Sequence, residues 1–306
     1  MVGSWSPGGI VGEQPSIGEG RSSRGSRTKV ILLGTAGGPS PKKSRAAPAA
    51  VVSVDQVPYL VDCGNGVGRQ LVLAGVRPRD LRAVFLTHHH SDHNADTGNL
   101  LLLAWASGLS TPVDIYGPPP LLRMTDLFLE MNAYDIGIRI TDEGRPPLAP
   151  LLVPHEIHAG GLVLEDERVK VTAALVHHPP VEPAFAFRFD TPDRSIVFSG
   201  DTTPVESLVQ LSQGADTLVH EVLYVPGIER LLANVPNAST LREHLLASHT
   251  PLEDVGRVAT RCGVATLVLT HFVPGDDPSI TDEIWRAGAQ EHFAGTVVVG
   301  KDLLEV

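Results

Sequence analysis

Apolar residues along the chain fall into short runs closed by polar or glycine-rich turns, and the period of each run predicts its element. Residues 29–34 read as a strand entering the turn Thr35-Ala36-Gly37-Gly38-Pro39. That turn lacks the Gly-Lys-Ser/Thr ending of a phosphate-cradling loop, so it reads as a strand turn at the mouth of a site. Residues 49–54 and 58–62 read as a strand pair, broken by Cys63-Gly64-Asn65-Gly66, with a helix expected over 67–74. A strand over 81–86 and a buried helix over 99–106 follow. An amphipathic helix is expected over 121–133, then a polar, proline-rich stretch over 139–150 that forms either a flap or part of the outer layer. Further strands are expected at 169–176, 184–189, 195–199, 216–219 and 265–270. A helix over 252–262 takes Thr250 as its N-cap and Pro251 as its first residue. Residues 1–27, rich in Gly, Ser, Pro and Arg, show no period and are expected to be disordered; 28–306 then form one domain.

Several of these strands end on residues that bind metals. The stretch Thr87-His88-His89-His90-Ser91-Asp92-His93 carries the spacing His-x-His-x-Asp-His between a strand and a helix. Side chains alternate along extended chain, so His88 and His90 share a face while His89 points away. A tight turn through Ser91 brings Asp92 and His93 toward a second point. Imidazole and carboxylate are ligands that zinc and other borderline divalent metals prefer. Later strands lead into His177-His178, Gly200-Asp201, His220-Glu221 and His271. If those tips share one edge, His88, His178, Asp201 and His271 converge. Asp62 also ends an apolar strand, where a buried carboxylate must find donors. His155 and His158 stand alone and read as surface residues.

Composition narrows the partners. At 42% hydrophobic and 19% charged residues, the 306-residue chain is that of a globular protein with ample core. Aromatics at 5% offer little for stacking bases, and a formal net charge of −11 argues against a large polyanion held by phosphate contacts. Cys63 and Cys262 form no disulfide framework, and neither a membrane span nor a secretion signal is evident, so a cytoplasmic location is expected.

The His-x-His-x-Asp-His spacing resembles that of the metallo-β-lactamase superfamily. The resemblance implies an α/β fold, the αββα sandwich of two mixed sheets flanked by helices, with a two-metal hydrolytic site. By resemblance, His88, His90 and His178 hold one metal, Asp92, His93 and His271 the other, and Asp201 bridges both. Counting back from Ala184 favours His178, with His177 as the alternative. The metals are expected to be two divalent ions, zinc first, with manganese or iron as alternatives. They would lower the pKa of a bridging water. Asp92 would orient or deprotonate that nucleophile, and Asp62 would brace the metal loop from outside the ligand set.

A finer resemblance, carried by His220-Glu221 and Ser248-His249-Thr250, is to the ribonuclease Z and arylsulfatase-like branch. It implies that His249 protonates the leaving oxygen, with Glu221 as its orienting partner. One departure shapes the expected substrate: ribonuclease Z carries a long tRNA-gripping arm between its third ligand histidine and the bridging aspartate, whereas only a strand pair separates His178 from Asp201 here. The expectation is therefore hydrolysis of a small-molecule ester (phosphodiester, sulfate ester, carboxylic ester or lactone), with tRNA an unlikely partner. The alternatives are a ribonuclease Z-type endoribonuclease, an iron-dependent redox enzyme and a non-catalytic carrier on the same fold. Specificity is expected from Gly37-Gly38 and from regions 117–150 and 222–236, and similar proteins are commonly homodimers.

Overall fold

The structure, a computed structural model, describes residues 27–233 and 235–306; of the tail expected to be disordered, all but Arg27 lies outside the described residues. The first sheet opens with β1 (Thr28–Gly34), β2 (Ala49–Val54) and β3 (Val57–Val61), paired antiparallel in succession. β4 (Ala83–Phe85), β5 (Val113–Gly117) and β6 (Leu152–Glu156) then add in parallel. Parallel neighbours need long crossovers. These are supplied by α1 (Val67–Leu73), α2 (Ser91–Asn94), α3 (Thr97–Ala106), α4 (Leu121–Met131) and α5 (Ala133–Glu143).

The second sheet begins with β7 (Gly161–Glu165), β8 (Lys170–His178), β9 (Val181–Asp190) and β10 (Ser195–Phe198), all antiparallel. It continues in parallel through β11 (Thr217–Leu223), β12 (Thr266–Val273) and β13 (Thr296–Val299). Its helices are α6 (Glu206–Ser212), α7 (Val225–Leu232), α8 (Ala238–Ser248), α9 (Leu252–Cys262) and α10 (Asp282–Gln290). β14 (Leu304–Glu305) returns to pair with β1 at the edge of the first sheet.

Both sheets bury both faces, which is why their central strands read as continuous apolar runs. Between the sheets, Val30, Leu32, Tyr59 and Phe85 meet Phe185, Phe187, Phe189 and Phe198. Phe85 lies edge-on to Phe187 and Phe189 at 5.5 and 5.1 Å. Trp105 anchors the outer core on the first sheet, and Trp285 that on the second. This is the expected αββα sandwich.

Three local expectations differ from the structure. The stretch expected to be irregular from 139 is mostly the helix α5, in which Arg139 pairs with Asp135 and Glu143 one turn away on either side. Ile136 and Ile140 face the core beneath those charges, so the segment belongs to the outer layer. Thr250 does not cap α9; its hydroxyl donates to the Thr202 carbonyl, and Pro251 stands at the N-cap. The hairpin of α7 and α8 has no counterpart among the expected elements.

Candidate active site

The histidine motif leaves the tip of β4 as extended chain. The Thr87 N–H donates to Asp62 Oδ1 at 2.8 Å, fixing the loop against the end of β3. His88 and His90 face inward, while His89 turns outward to the Pro118 carbonyl and Asn94. α2 then starts at Ser91 and swings Asp92 and His93 into the interior, where both are buried. Strand alternation followed by one turn of helix produces the two-point arrangement anticipated from the spacing.

The tips of the two sheets converge on this loop. His88 Nε2 and His178 Nε2 lie 3.1 and 3.0 Å from His90 Nδ1. Asp92 Oδ2 lies 3.4 Å from His271 Nε2 and 3.7 Å from His93 Nε2. Between these groups stands Asp201 Oδ2, 3.2 Å from His271 Nε2, 3.3 Å from His93 Nε2, and 3.9 Å from both His88 Nε2 and His178 Nε2. His178 is buried in the cluster and His177 is exposed outside it. Asp62 and His271 both hold left-handed backbone, with φ of 61° and 46°. Strain of that kind is kept where surrounding structure over-determines it, often at functional sites. Beside His271, a side chain at Gly37 would meet Val273 at 2.5 Å, so that turn requires glycine for close approach.

The donor set fits divalent metal ions. The outward nitrogens of the histidines are occupied: Nδ1 of His93 by Asp62 at 2.8 Å, Nδ1 of His178 by the Ser248 carbonyl at 2.8 Å, and Nδ1 of His88 by the Thr87 hydroxyl at 3.0 Å. That leaves Nε2 lone pairs pointing inward, the usual orientation of metal-ligating imidazoles. Tetrahedral ligands at zinc-nitrogen bond lengths of about 2.0–2.1 Å sit roughly 3.3 Å apart, close to the 3.0 and 3.1 Å found among His88, His90 and His178. His93 Nε2 and Asp201 Oδ1 are buried without a hydrogen-bond partner among the described residues. Burial, then His178, pushes His90 down to about 4, which favours its neutral, ligating form. Burial would raise Asp201, but His271 and His93 hold its carboxyl well below the usual range.

A second group of side chains flanks this cluster. Glu221 Oε1 accepts from His249 Nδ1 at 3.1 Å and from the Thr202 and Thr250 N–H groups at 3.0 and 3.2 Å. Burial opposes charge on His249, but Glu221, with Asp201 and Asp92 behind it, overcomes that and raises the imidazole to about 9. His220 stays apart, with Nδ1 turned to the Glu221 carbonyl.

A cavity of about 610 Å³ opens over Asp92, Asp201, His249 and His271. Its walls include Gly37 and Gly38, as expected, and Arg230, Leu231, Leu241 and Leu245 from the α7–α8 hairpin. Nothing from the expected 117–150 wall lines it. His244 does, and sequence reasoning missed it; the available signal was a histidine one helical turn before Ser248. Burial, then His249 and His178, lowers its imidazole below the ordinary value.

Residues 58–272 match the family described as Beta-lactamase superfamily domain. The chain belongs to the metallo-β-lactamase superfamily. It is a metal-dependent hydrolase. It is similar to a ribonuclease Z of Mycobacterium bovis (strain BCG / Pasteur 1173P2), with 36% identity over 281 residues covering 91% of this chain and 97% of that one. Its fold is similar to the short form of human tRNase Z, with TM-score 0.66 and 23% identity over 91% of this chain and 98% of that one. The Zn(2+)-bound PqqB of Methylobacterium extorquens has the same fold, with TM-score 0.66 and 18% identity over 91% of this chain and 99% of that one.

The ribonuclease Z relative overturns the expectation of a small-molecule ester substrate with tRNA excluded. That exclusion rested on a missing arm and on net charge. The relative is matched over 97% of its length, which leaves it no long arm that this chain lacks. Net charge is a sum over the whole surface, whereas binding responds to the local field. Lys42 and Arg230 line the cavity together with Asp276 and Asp277, and Arg230 pairs with Asp277 at 2.6 Å, so a whole-chain charge sum describes this wall poorly. No described helix is long and apolar enough to cross a membrane.

Proposed function

We propose that this protein is a ribonuclease Z-type endoribonuclease that hydrolyses a phosphodiester bond of RNA, tRNA precursors included. The observation that carries this reading is the 36% identity to a ribonuclease Z along nearly the full length of both chains. The geometry supports it: His88, His90 and His178 would hold one metal, Asp92, His93 and His271 the other, and the Asp201 carboxylate lies close to ligand atoms of both groups. Zinc suits this imidazole and carboxylate set, with manganese or iron as alternatives. When bound, two such ions supply Lewis acidity toward the phosphoryl group and acidify water near neutral pH.

The protein's own groups do the rest. Asp92, at the cavity floor, orients the attacking water and takes its proton. His249, held by Glu221, carries a proton on Nε2 and delivers it to the leaving oxygen. Asp62 fixes His93 and the Thr87 backbone, so the ligand loop is pre-organised. Residues 28–306 act as one domain, a reading supported by the return of β14 to β1. Free, buried Cys63 and Cys262 suit a reducing cytoplasm.

The test is cleavage of a precursor tRNA transcript by metal-loaded protein, with Asp201→Ala as the blank. A defined cut near the 3′ end, absent with the variant, is expected. An intact transcript alongside a protein that turns over bis-p-nitrophenyl phosphate would sink the RNA assignment and leave the hydrolytic centre standing.

A further inference from the structure

His244 projects from α8 over the same cavity, one helical turn before Ser248. Its ring lies 6.1 Å from that of His90, 6.2 Å from that of His178 and 6.2 Å from that of His249. It therefore stands over the first group of candidate ligands and beside the group that protonates the leaving oxygen.

Its hydrogen bonds define which face it offers. The Ser248 hydroxyl has one hydrogen, which it donates to the Pro179 carbonyl. Ser248 Oγ, 3.3 Å from His244 Nδ1, is left to accept, so His244 carries its hydrogen on Nδ1. Nε2 of the neutral ring is then a lone-pair acceptor, and it makes no hydrogen bond to any described residue. A phosphoryl oxygen, itself an acceptor, is a poor partner for such a group; a hydroxyl is a good one.

Resting on the ribonuclease reading above, we infer that His244 Nε2 accepts a hydrogen bond from the ribose 2′-hydroxyl of the nucleotide whose 3′-oxygen is expelled. The 2′- and 3′-oxygens sit on adjacent ribose carbons, and His244 and His249 are adjacent walls of one cavity. One imidazole then receives the 2′-hydroxyl hydrogen while the other protonates O3′. In the step itself, water adds its oxygen to phosphorus and gives a proton to Asp92. The bond from phosphorus to O3′ breaks, and O3′ takes the proton from His249 Nε2. The products are a 3′-hydroxyl and a 5′-phosphate; the 2′-hydroxyl is recognised and does not react. His244 is thereby the residue that tells RNA from DNA at the cut.

The experiment uses a precursor transcript whose cleavage site has been mapped, and a second copy with a single 2′-deoxy nucleotide 5′ of that bond. Wild-type protein should cleave the all-ribose transcript with kcat/KM roughly tenfold above the deoxy one. His244→Ala should cut both at about the deoxy rate, and His244→Gln, which retains an acceptor oxygen, should recover part of the difference. Metal content of both variants should match wild type, which separates substrate recognition from damage to the centre. Equal ribose preference in wild type and His244→Ala, or no preference in wild type, overturns the inference while RNA cleavage stands. Loss of metal in both variants also overturns it, because His244 would then be part of the metal scaffold. Wild-type protein that cuts no RNA overturns the proposed function and this inference with it.

Discussion

Asp62 holds His93 without pointing into the metal-binding cluster: its Oδ2 lies 2.8 Å from His93 Nδ1, and its Oδ1 takes the Thr87 N–H at the same distance. One carboxylate thus fixes both the ring of a candidate ligand and the loop that carries the others. Asp62→Ala is expected to weaken metal binding about 10–100-fold, the usual cost of losing such a partner. Competition with a chelator dye measures this. Affinity equal to wild type would show that the loop is set by other contacts.

Asp201 reaches both halves of the cluster, so its removal should affect both metal positions. Asp201→Ala is expected to bind fewer than two metals per chain and to lose at least about 100-fold in kcat, since charge stabilisation at the reacting centre is lost. Its circular dichroism should stay that of wild type, because the Ser199–Gly200–Asp201 turn is placed by backbone bonds such as Ser199 N–H to Val219 O at 3.0 Å. Elemental analysis and a rate assay together check the claim. Full activity would remove Asp201 from the site.

The proton on His249 gives a pH signature. A general acid works only below its pKa, so activity toward a poor leaving group should fall as pH rises through about 9, where Glu221 holds His249. Glu221→Gln removes the largest charge that raises this imidazole, so the alkaline fall should move to lower pH. Stability follows the same sign. The contribution of the protonated pair is complete below the ordinary value of 6.5 and is lost as pH rises through about 9. Rate profiles of the two proteins, with substrates of good and poor leaving group, are the measurement. Coincident alkaline limbs would dismiss His249 as the acid.

How much of this was legible depended on how local the cause was. The spacing from His88 to His93 needs only strand alternation and one turn, so it could be read directly. Asp62 could be read as a carboxylate in need of donors. The choice between His177 and His178 could not be derived from alternation, because the pairing of β8 with β9 slips between Val176 and His178 and resets which side chain faces inward. α5 was hidden because the acids and arginine that hold it together by pairing also give it the composition of a loop. α8 was hidden because Leu241 and Leu245 line a cavity as well as packing on a core, which blurs the helical period. The substrate was misjudged because a formal charge sum carries no information about where the charges lie.

Without metal, the cluster brings His88 Nε2 and His178 Nε2 to within 3.1 Å of His90 Nδ1 and buries Asp201 Oδ1 with no hydrogen-bond partner among the described residues. Such groups lose their hydration on folding and regain little, so the metal-free fold carries a penalty that bound ions relieve. Metal binding to the native state should therefore raise the melting temperature, by about 2.7 kcal/mol of stability per site at a free concentration 100 times the dissociation constant. The gain should shrink in acid, because the ligating histidines must be neutral to bind metal. His90, already displaced to about 4, sets little of that limit. His93 sets more, since Asp201, Asp62 and Asp92 together overcome its burial and raise it well above the ordinary range. Asp62→Asn keeps the shape of the brace and removes one of those charges. It should lower the proton's hold on His93 and bring the metal-induced rise in melting temperature at pH 6 closer to that at pH 8. A wild-type protein whose melting temperature ignores both metal and chelator would mean that the cluster is already satisfied without ions, and the metal assignment would fall.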